Sequence, residues 1–370
     1  MPDSSRPTLS PAARRSSRYA LLAFAITAGA WGVRGCATPA RPELVRERAG
    51  QVEPGRAHAW LTELQARHPR RGSPAARASV AFVASAFAEA GLVDVREEVH
   101  ALGAGRELRN VLGRIPGKDA ARCVVLAAHH DTVPQAPGAI DDGGAIAALL
   151  EASRALLAGP PPPCDLWVIS FDGEERGCLG AKRHLEGLGA EGRAQVQAAL
   201  AVELVGWTGD DLVVHTIPHG FSWDAEGISP AWVPDGVRGA ARALGYRVEV
   251  GDPLISPFYQ ATIRVLGVQT GSDAGAYAER GIPSAMLTGS SLTNFYAGYH
   301  TPSDAMPRVD AARLDDAARV IVGAALELGD RAEQGAPREL GGAYLCLGPT
   351  TIDRVGLIAL ALAAAVLALL

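Results

Sequence analysis

Two long apolar runs restrict the fold of this chain more than any other feature of its sequence. Residues 124–128 and 166–171 are almost entirely apolar, which is typical of central parallel strands buried on both faces. Between the runs, residues 144–158 show a helical pattern that ends at Gly159 and the consecutive prolines 160–163. Strand, helix and strand make a βαβ unit. The sequence therefore predicts an α/β fold, with a mostly parallel central sheet flanked by helices on both faces.

The spacing of apolar residues predicts the remaining elements of one large domain. Helices are predicted at residues 57–67, 75–90, 237–244, 273–280 and 310–332. Strands are predicted at residues 93–99, 110–115, 199–205, 212–215, 246–250 and 284–287. No internal repeat or long low-complexity segment interrupts this stretch. We therefore expect a single domain at residues 57–334, with linkers at residues 34–56 and 335–354.

Composition and charge argue against several classes of protein. Of the 370 residues, 48% are hydrophobic and 20% are charged, which fits a globular protein rather than a disordered one. The formal net charge is -5, and no long run of lysine and arginine occurs. A nucleic-acid partner is therefore not expected, because binding to phosphate backbones depends on clustered positive charge.

Both ends of the sequence carry an uncharged apolar stretch. Residues 19–33 follow an arginine-containing start, residues 1–18, which is the layout of a signal peptide or a signal anchor. Residues 355–370 form a second stretch, predicted as a membrane segment, with a buried terminal helix as the alternative. Because arginines tend to stay on the cytoplasmic side, residues 1–18 are expected there. The intervening domain is then membrane-anchored and extracytoplasmic, either periplasmic or extracellular.

The five cysteines bear on both redox chemistry and metal binding. None of them forms a Cys-X-X-Cys pair, which excludes a thiolate zinc knuckle. Cys123 and Cys164 each precede a predicted strand and could lie side by side, either as a disulfide or as two free thiols. Cys36 follows the first apolar stretch in a setting that loosely resembles a lipoprotein cleavage box, so lipidation there is an open alternative.

Histidines and acidic residues cluster where the predicted central strands end. The working residues of a parallel sheet lie just beyond the carboxyl ends of its strands, and the runs 124–128 and 166–171 each lead directly into such a cluster. Glu203 lies in an otherwise apolar segment, where an unpaired carboxylate needs a cationic partner. The candidates are, in chain order, His129, His130, Asp131, Asp141, Asp142, Asp172, Glu174, Glu175, Glu203 and His300.

This combination of side chains is the ligand type that zinc hydrolases use. Imidazoles and carboxylates without thiolates suit zinc. A carboxylate that bridges two zinc ions would allow a shared water to become hydroxide near neutral pH, and a free carboxylate nearby could act as general base. Each residue alone also has a structural explanation, because acids at strand ends often cap helices. Their joint occurrence at strand ends favours a metal site.

The motifs resemble, in order and spacing, those of the two-zinc exopeptidases of the bacterial leucyl aminopeptidase type, in clan MH. Relatives in that family include glutamate carboxypeptidase II, the glutaminyl cyclases and the non-enzymatic transferrin receptors. The resemblance covers about residues 57–310 and implies the fold of the zinc exopeptidases. It rests on NVLGRIPG at residues 110–117, AHHDT at 128–132, GAIDDGG at 138–144, FDGEERG at 171–177 and YHTPSD at 299–304.

The resemblance implies how a first zinc ion is held. His129 would be a ligand of that ion, and Asp131 would act in catalysis by orienting the histidine. Asp141 would bridge the two zinc ions, and its peptide bond to Asp142 would be the non-proline cis bond of the family. Glu203 would be the remaining ligand of the first zinc, at a position where most members have aspartate.

The same resemblance implies a second zinc ion and a general base. Glu174 would be the catalytic base, and Glu175 would be a ligand of the second zinc. His300 would complete that site, which gives two zinc ions per chain. Asp273 and Tyr299 would contact the substrate, although many members have histidine after the aspartate that corresponds to Asp273.

The resemblance therefore implies a zinc-dependent exopeptidase that acts on a peptide or a small aminoacyl substrate. It favours an aminopeptidase, and a carboxypeptidase stays open because the sequence does not place the loops that recognise a terminal amine or carboxylate. Two further alternatives remain open at this point. A glutaminyl cyclase would use zinc for an intramolecular acyl transfer, and a binding ectodomain like the transferrin receptors would have no activity. The complete set of ligand and base side chains favours the hydrolase over both.

Overall fold

A computed structural model describes residues 33–35, 39–68, 74–216, 229–251, 271–291, 293–338, 344–347 and 350–369. These residues fall into two compact units. The smaller unit comprises residues 1–35 and 342–370, and the larger unit comprises residues 36–341. All candidate site residues belong to the larger unit.

Eight strands of the larger unit form one mixed sheet, in the order β2-β3-β5-β4-β6-β9-β7-β8. Their bounds are β2 Val93–Gly103, β3 Arg106–Ile115, β4 Asp119–His129, β5 Cys164–Phe171, β6 Val196–Glu203, β7 Val213–Thr216, β8 Glu249–Val250 and β9 Ser284–Thr288. The pairs β5–β4, β4–β6, β6–β9 and β7–β8 are parallel, and the pairs β2–β3, β3–β5 and β7–β9 are antiparallel. The expectation of a mostly parallel central sheet is confirmed.

Eight α-helices accompany the sheet among the described residues of the larger unit. They are α1 Pro42–Ala49, α2 Arg56–Gln65, α3 Pro74–Glu89, α4 Ala145–Leu157, α5 Leu179–Gln195, α6 Trp232–Ala243, α7 Asp273–Ala278 and α8 Ala311–Glu333. Short helical turns follow β4, at Ala139–Gly144, and β5, at Glu174–Arg176. Each of these turns carries candidate site residues.

The core fills both faces of β4, which explains why its sequence is an unbroken apolar run. On one face, Val125 and Ala127 pack with Leu185 of α5 and Tyr277 of α7 in a single buried cluster. Successive side chains of a strand point to opposite faces. Helices α4 and α8 pack against β4 as well as against each other, and they cover the other face. The prediction of helices on both faces is therefore confirmed.

The two cysteines at the start of β4 and β5 are neighbours but are not bonded. Cys123 pairs with Asp165 in the parallel register, one position beyond Cys164. Both thiols are free and buried. Of the two alternatives left open by the sequence, the disulfide is wrong and the pair of free thiols is correct.

Three segments contain regular structure that the sequence did not predict. The linker expected at residues 34–56 contains α1, whose Val45 is buried and whose preceding residue Arg41 pairs with Asp330 of α8. Helix α5 was missed, and it is interrupted at Gly189, whose φ is 64°. The linker expected at residues 335–354 contains two strands. These are β10 Tyr344–Leu347 and β11 Thr350–Asp353.

Among its described residues, the smaller unit contains a three-stranded antiparallel sheet and one helix. The sheet joins β1 Val33–Gly35, β11 and β10, in that order. The predicted membrane segment forms helix α9 Arg354–Leu369, of 16 residues. Across the described parts of the chain, no helix is both long enough and apolar enough to cross a membrane. The predicted signal segment at residues 19–33 lies outside the described residues, apart from Val33.

Candidate active site

The candidate residues gather at one edge of the sheet because the central strands run parallel. His129 is the last residue of β4 and lies beside Phe171, the last residue of β5. Glu203 ends β6, the other neighbour of β4. The carboxyl ends of these strands therefore share one edge, as expected for a site in a parallel sheet. The turns after β4 and β5 bring the remaining acids to the same edge.

His129 lies at the centre of a group of carboxylates. Its side chain is 2% exposed, and its Nε2 lies 3.3 Å from Asp141 Oδ1 and 3.9 Å from Glu174 Oε2. On the other side of the ring, Nδ1 lies 3.5 Å from Asp131 Oδ1. The backbone N–H of Glu174 donates to the same Asp131 oxygen at 3.1 Å. Asp131 therefore contacts both the imidazole and the segment that carries Glu174.

Asp141 lies between two histidines. Its Oδ1 faces His129, and its Oδ2 lies 3.3 Å from His300 Nε2. The same His300 nitrogen lies 3.0 Å from Glu175 Oε2. Burial opposes ionisation of Asp141, but hydrogen bonds from the two histidines hold the pKa of its carboxyl well below the usual range. The peptide bond between Asp141 and Asp142 is cis, as the family resemblance implied.

The turn that carries Asp141 is held by two buried carboxylates. Asp304 accepts from the backbone N–H of Ile140 at 2.8 Å and from that of Asp141 at 3.2 Å. Asp142 accepts from the N–H of His129 at 3.2 Å and from that of Leu204 at 3.2 Å. The side chain of Asp142 thus ties the ends of β4 and β6 to the turn between them.

Glu203 is less closely joined to the other candidates. Among the described residues, Asp141, Glu175 and His300 form the one group of three whose ligand atoms all lie within 4.8 Å of one another. Glu203 is 8% exposed, and burial raises the pKa of its carboxyl while the Ser272 hydroxyl, in the segment before α7, opposes that effect. The structure therefore brings His129 and Asp141 together, but it does not complete a group of three with Glu203.

The two predicted substrate contacts differ in their accessibility. Asp273 is 1% exposed at the start of α7, and its carboxyl lies within electrostatic reach of Glu174. Tyr299 is 38% exposed, and its ring stacks on that of His300 at 3.8 Å between centroids and 17° between planes. Tyr299 can therefore meet a ligand from solvent, whereas Asp273 is buried among the other acids.

Burial of so many acids at one edge disfavours their ionised forms. It raises the pKa of Glu174 to about 8 and that of Glu203 to about 8, in each case against the opposing effect of His129. It also raises the pKa values of Asp142 and Asp273 well above the usual range. Such crowding of buried carboxyl groups is relieved by a bound cation.

The donor atoms of this site fit zinc. One oxygen each of Asp131, Glu175 and Glu203 is buried without a hydrogen-bond partner among the described residues. Such atoms are costly unless a ligand meets them. The accessible donors are imidazole nitrogens and carboxylate oxygens, which zinc accepts at hydrolytic sites. The site chemistry and the orphaned oxygens are both consistent with bound metal.

Four residues support the site in ways that the sequence did not predict. Asn110 and Asp304 lie inside the matched motifs, and Asp142 was a candidate by residue type whose predicted role concerned its peptide bond. Ser272 precedes Asp273 and contacts Glu203. Each of them acts through a contact with backbone or with a side chain far away in the sequence. Their one sequence signal was a position inside or beside a matched motif.

Two curated relatives are similar over part of their length. Aminopeptidase YwaD of Bacillus subtilis is 26% identical over 211 residues, which cover 55% of this chain and 40% of the relative. Probable lipoprotein aminopeptidase LpqL of Mycobacterium tuberculosis is 24% identical over 214 residues, covering 56% of this chain and 42% of the relative. The matched part thus spans less than half the length of each of these two relatives.

The fold and the family have independent support. The Legionella pneumophila LapA aminopeptidase has a similar structure, with a TM-score of 0.64, 20% identity, and coverage of 78% of this chain and 75% of that chain. At that identity the similarity supports the fold alone. The model of peptidase family M28 matches residues 110–325, which is more than half of the chain and includes every candidate ligand. The chain therefore belongs to peptidase family M28.

Proposed function

We propose that the chain is a zinc aminopeptidase that removes amino-terminal residues from peptides or small aminoacyl substrates, using two co-catalytic zinc ions. The observation that carries this proposal is the position of Asp141, whose two oxygens face His129 and His300 at 3.3 Å each. A carboxylate placed between two imidazoles can serve two metal ions at once. Membership of a peptidase family supports hydrolysis as the reaction.

The proposed ligands divide into two sets that share Asp141. We name Asp141, Glu175 and His300 the loop set, because all three lie in turns or loops. We name His129, Asp141 and Glu203 the strand set, because its other two members end β4 and β6. Zinc bound by these sets would polarise the substrate carbonyl and lower the pKa of a bound water.

Glu174 is the proposed general base. Its Oε2 lies 3.9 Å from His129 Nε2, so the carboxylate faces the same space as the ligand atoms. There it can accept a proton from the attacking water as the water oxygen bonds to the carbonyl carbon, before the peptide carbon–nitrogen bond breaks. It can then donate that proton to the nitrogen of the leaving amine. Asp131 supports this role, because it holds the backbone N–H of Glu174 and faces the His129 ring.

The exposed ring of Tyr299 and the buried carboxyl of Asp273 are the proposed substrate contacts. Tyr299 stacks on His300 and lies at the solvent side of the loop set. Asp273 lies beside Glu174, where burial disfavours its ionised form, and a substrate with a free ammonium group, rather than a free carboxylate, would favour that form. This electrostatic preference is the reason for proposing an aminopeptidase over a carboxypeptidase.

The proposed location is a membrane-anchored domain outside the cytoplasm. It is supported by the arginine-containing start followed by the apolar residues 19–33. A relative described as a probable lipoprotein aminopeptidase agrees with it. Protease added to spheroplasts should digest the domain without lysis. Protection of the domain in intact spheroplasts would overturn this location.

The activity is tested with the full chain and three kinds of substrate. Aminoacyl arylamides should be hydrolysed, and N-blocked dipeptides with a free carboxylate should not. Peptides with amino-terminal glutamine should release free glutamine, whereas a glutaminyl cyclase would release ammonia and leave a cyclised product. Turnover of the N-blocked dipeptides alone would make the protein a carboxypeptidase. No turnover by zinc-loaded protein would favour a binding ectodomain.

A further inference from the structure

The side chain of Asn110 joins both ends of the segment that carries Glu174 and Glu175. Asn110 lies in β3 and is fully buried. Its Oδ1 accepts from the backbone N–H of Asp172 at 3.1 Å, and its Nδ2 donates to the backbone carbonyl of Gly180 at 3.0 Å. We name residues 172–180 the base loop. Its first and last residues are thus held together by a single amide.

An amide side chain can make both contacts at once, because its donor and its acceptor are separate atoms. Asp172 offers a donor and Gly180 offers an acceptor, so the partner must accept at one atom and donate at the other. A carboxylate could only accept, and an alkyl group could do neither. The ends also approach closely. A Cβ at position 180 would overlap the carbonyl oxygen of Asp172 and the Oδ1 of Asn110, so the residue there must be glycine.

Other contacts fix the base loop to the strands on either side. The Asp172 carboxylate accepts from the backbone N–H of Arg109 in β3 at 2.9 Å. In the middle of the loop, the N–H of Glu174 donates to Asp131 beyond β4 at 3.1 Å. Within the loop, the N–H of Leu179 donates to the carbonyl of Gly173 at 2.9 Å. Asn110 is the side chain that ties this closed loop to β3 at both of its ends, and without it Gly180 loses its hydrogen bond to β3.

We propose that Asn110 is a positioning residue that sets the distance between the general base and the loop set. This proposal rests on the proposed function, since it assigns the base to Glu174 and a zinc ligand to Glu175. Closing the base loop at its stem fixes where both carboxylates project. Loss of the amide leaves one buried donor and one buried acceptor unpaired, which loosens the stem rather than the substrate contacts.

The first test measures hydrogen exchange in metal-free protein, so it does not depend on activity. In N110A, amides in residues 172–180 should exchange about tenfold faster than in the wild type, as expected for one buried hydrogen-bond pair lost. The matched control is S229A. Ser229 is also fully buried, and it bridges the backbone N–H and carbonyl of Ser284 at the start of β9. S229A should leave exchange in the base loop unchanged.

The second test measures zinc affinity and steady-state kinetics on the same variants. In N110A, kcat should fall about 10–100-fold, the size of effect expected when a catalytic group is misplaced by about 1 Å. KM should change less than twofold, and competition with a chelator should show weaker zinc binding at the loop set. S229A should match the wild type in kcat, in KM and in zinc affinity. If N110A does not fold, N110S serves instead, because its hydroxyl can reach at most one of the two partners.

The results separate this proposal from the proposed function. Faster exchange confined to residues 172–180, with weaker zinc binding, supports the positioning role even if the wild type hydrolyses no peptide. The positioning role is overturned if hydrogen exchange in residues 172–180 is unchanged in N110A, or if N110A and S229A change that exchange equally. A rise in KM with kcat unchanged also overturns it, because Asn110 would then act on substrate binding.

Discussion

The loop set and the strand set share Asp141 but differ in how completely the fold assembles them. In the loop set, His300 Nε2 lies 3.0 Å from Glu175 and 3.3 Å from Asp141. In the strand set, His129 lies 3.3 Å from Asp141, but Glu203 does not join them in a group of three. One proposed zinc site is therefore formed by the fold alone, and the other is incomplete.

The difference follows from what holds each side chain. Glu203 ends a strand whose register is fixed on both sides, including its pairing with Thr288 of β9. The sheet therefore fixes the position of its backbone, and its carboxyl lies near the Ser272 hydroxyl, which opposes the effect of burial on its pKa. Glu175 and His300 lie in turns and meet each other directly. The sheet fixes the direction in which a ligand at a strand end projects. The contacts of that ligand's side chain then decide whether it can reach a metal ion.

The largest expected effect concerns the acid that belongs to neither set. Glu174→Gln should cut kcat by about 10²–10⁴-fold, since it removes a general base. Zinc content should stay at the wild-type value, measured by elemental analysis after dialysis. Glu175→Gln is the matched control, because it makes the same change one residue later but removes a ligand of the loop set. Equal zinc loss in both variants would contradict the assignment of roles.

Removal of metal should separate the two sets. Titration with a chelator should release one zinc ion about tenfold more readily than the other, a difference of the size that ligand support produces. Glu203→Ala should eliminate the weak class and leave the tight one. His300→Ala should eliminate the tight class. A single class of two equivalent ions would mean that zinc itself draws Glu203 into place and that the difference between the sets is absent in the holoenzyme.

Shortening one carboxylate in each set should give opposite results. Glu203→Asp withdraws the carboxylate from Ser272 and introduces the aspartate that the family resemblance leads us to expect at this position. It should raise zinc affinity at the strand set by about three- to tenfold. Glu175→Asp should instead lower affinity at the loop set, because it pulls back an oxygen that already lies 3.0 Å from His300. The same sign in both variants would show that the length of the carboxylate side chain, rather than the difference between the two sets, decides zinc affinity.

The sequence predicted the elements whose apolar pattern is strong and missed those held by polar contacts. The runs 124–128 and 166–171 became central strands because burial on both faces requires continuous apolar residues. Helix α1 is rich in arginine and glutamate, and it is anchored by the pairing of Arg41 with Asp330. Helix α5 contains several glycines and is interrupted at Gly189. Neither feature gives a clear helical pattern.

For the site, the sequence named the side chains that project into it and the supporting role of Asp131, but not the other contacts that hold it in place. The residue types suited to zinc could be recognised one by one. The partners of Asn110, Asp142 and Asp304 are backbone groups far away in the sequence, and local patterns carry no information about them. The same applies to the contact between Ser272 and Glu203. These contacts depend on how the loops pack after the sheet has formed.

The smallest expected effect should act on both sets alike, because it reaches them through the ligand they share. Tyr296 O–H donates to Asp304 at 3.0 Å, and Asp304 holds the backbone of the turn that carries Asp141. Tyr296→Phe should lower the free energy of unfolding by about 1–2 kcal/mol, the contribution of a hydrogen bond to a charged acceptor. Zinc affinity should fall about threefold at both sets, since a support of Asp141 is weakened rather than removed.

Tyr246→Phe is the matched control for this last prediction. It removes a hydrogen bond of 2.7 Å from a tyrosine to Asp316, in α8, whose partners do not include any candidate ligand. It should cost similar stability in thermal unfolding while leaving both zinc affinities unchanged. A fall at the loop set alone in Tyr296→Phe would mean that Asp304 acts through the His300 loop, in which it also lies. Parallel falls at both sets would identify the turn at Asp141 as the element through which the two sites are coupled.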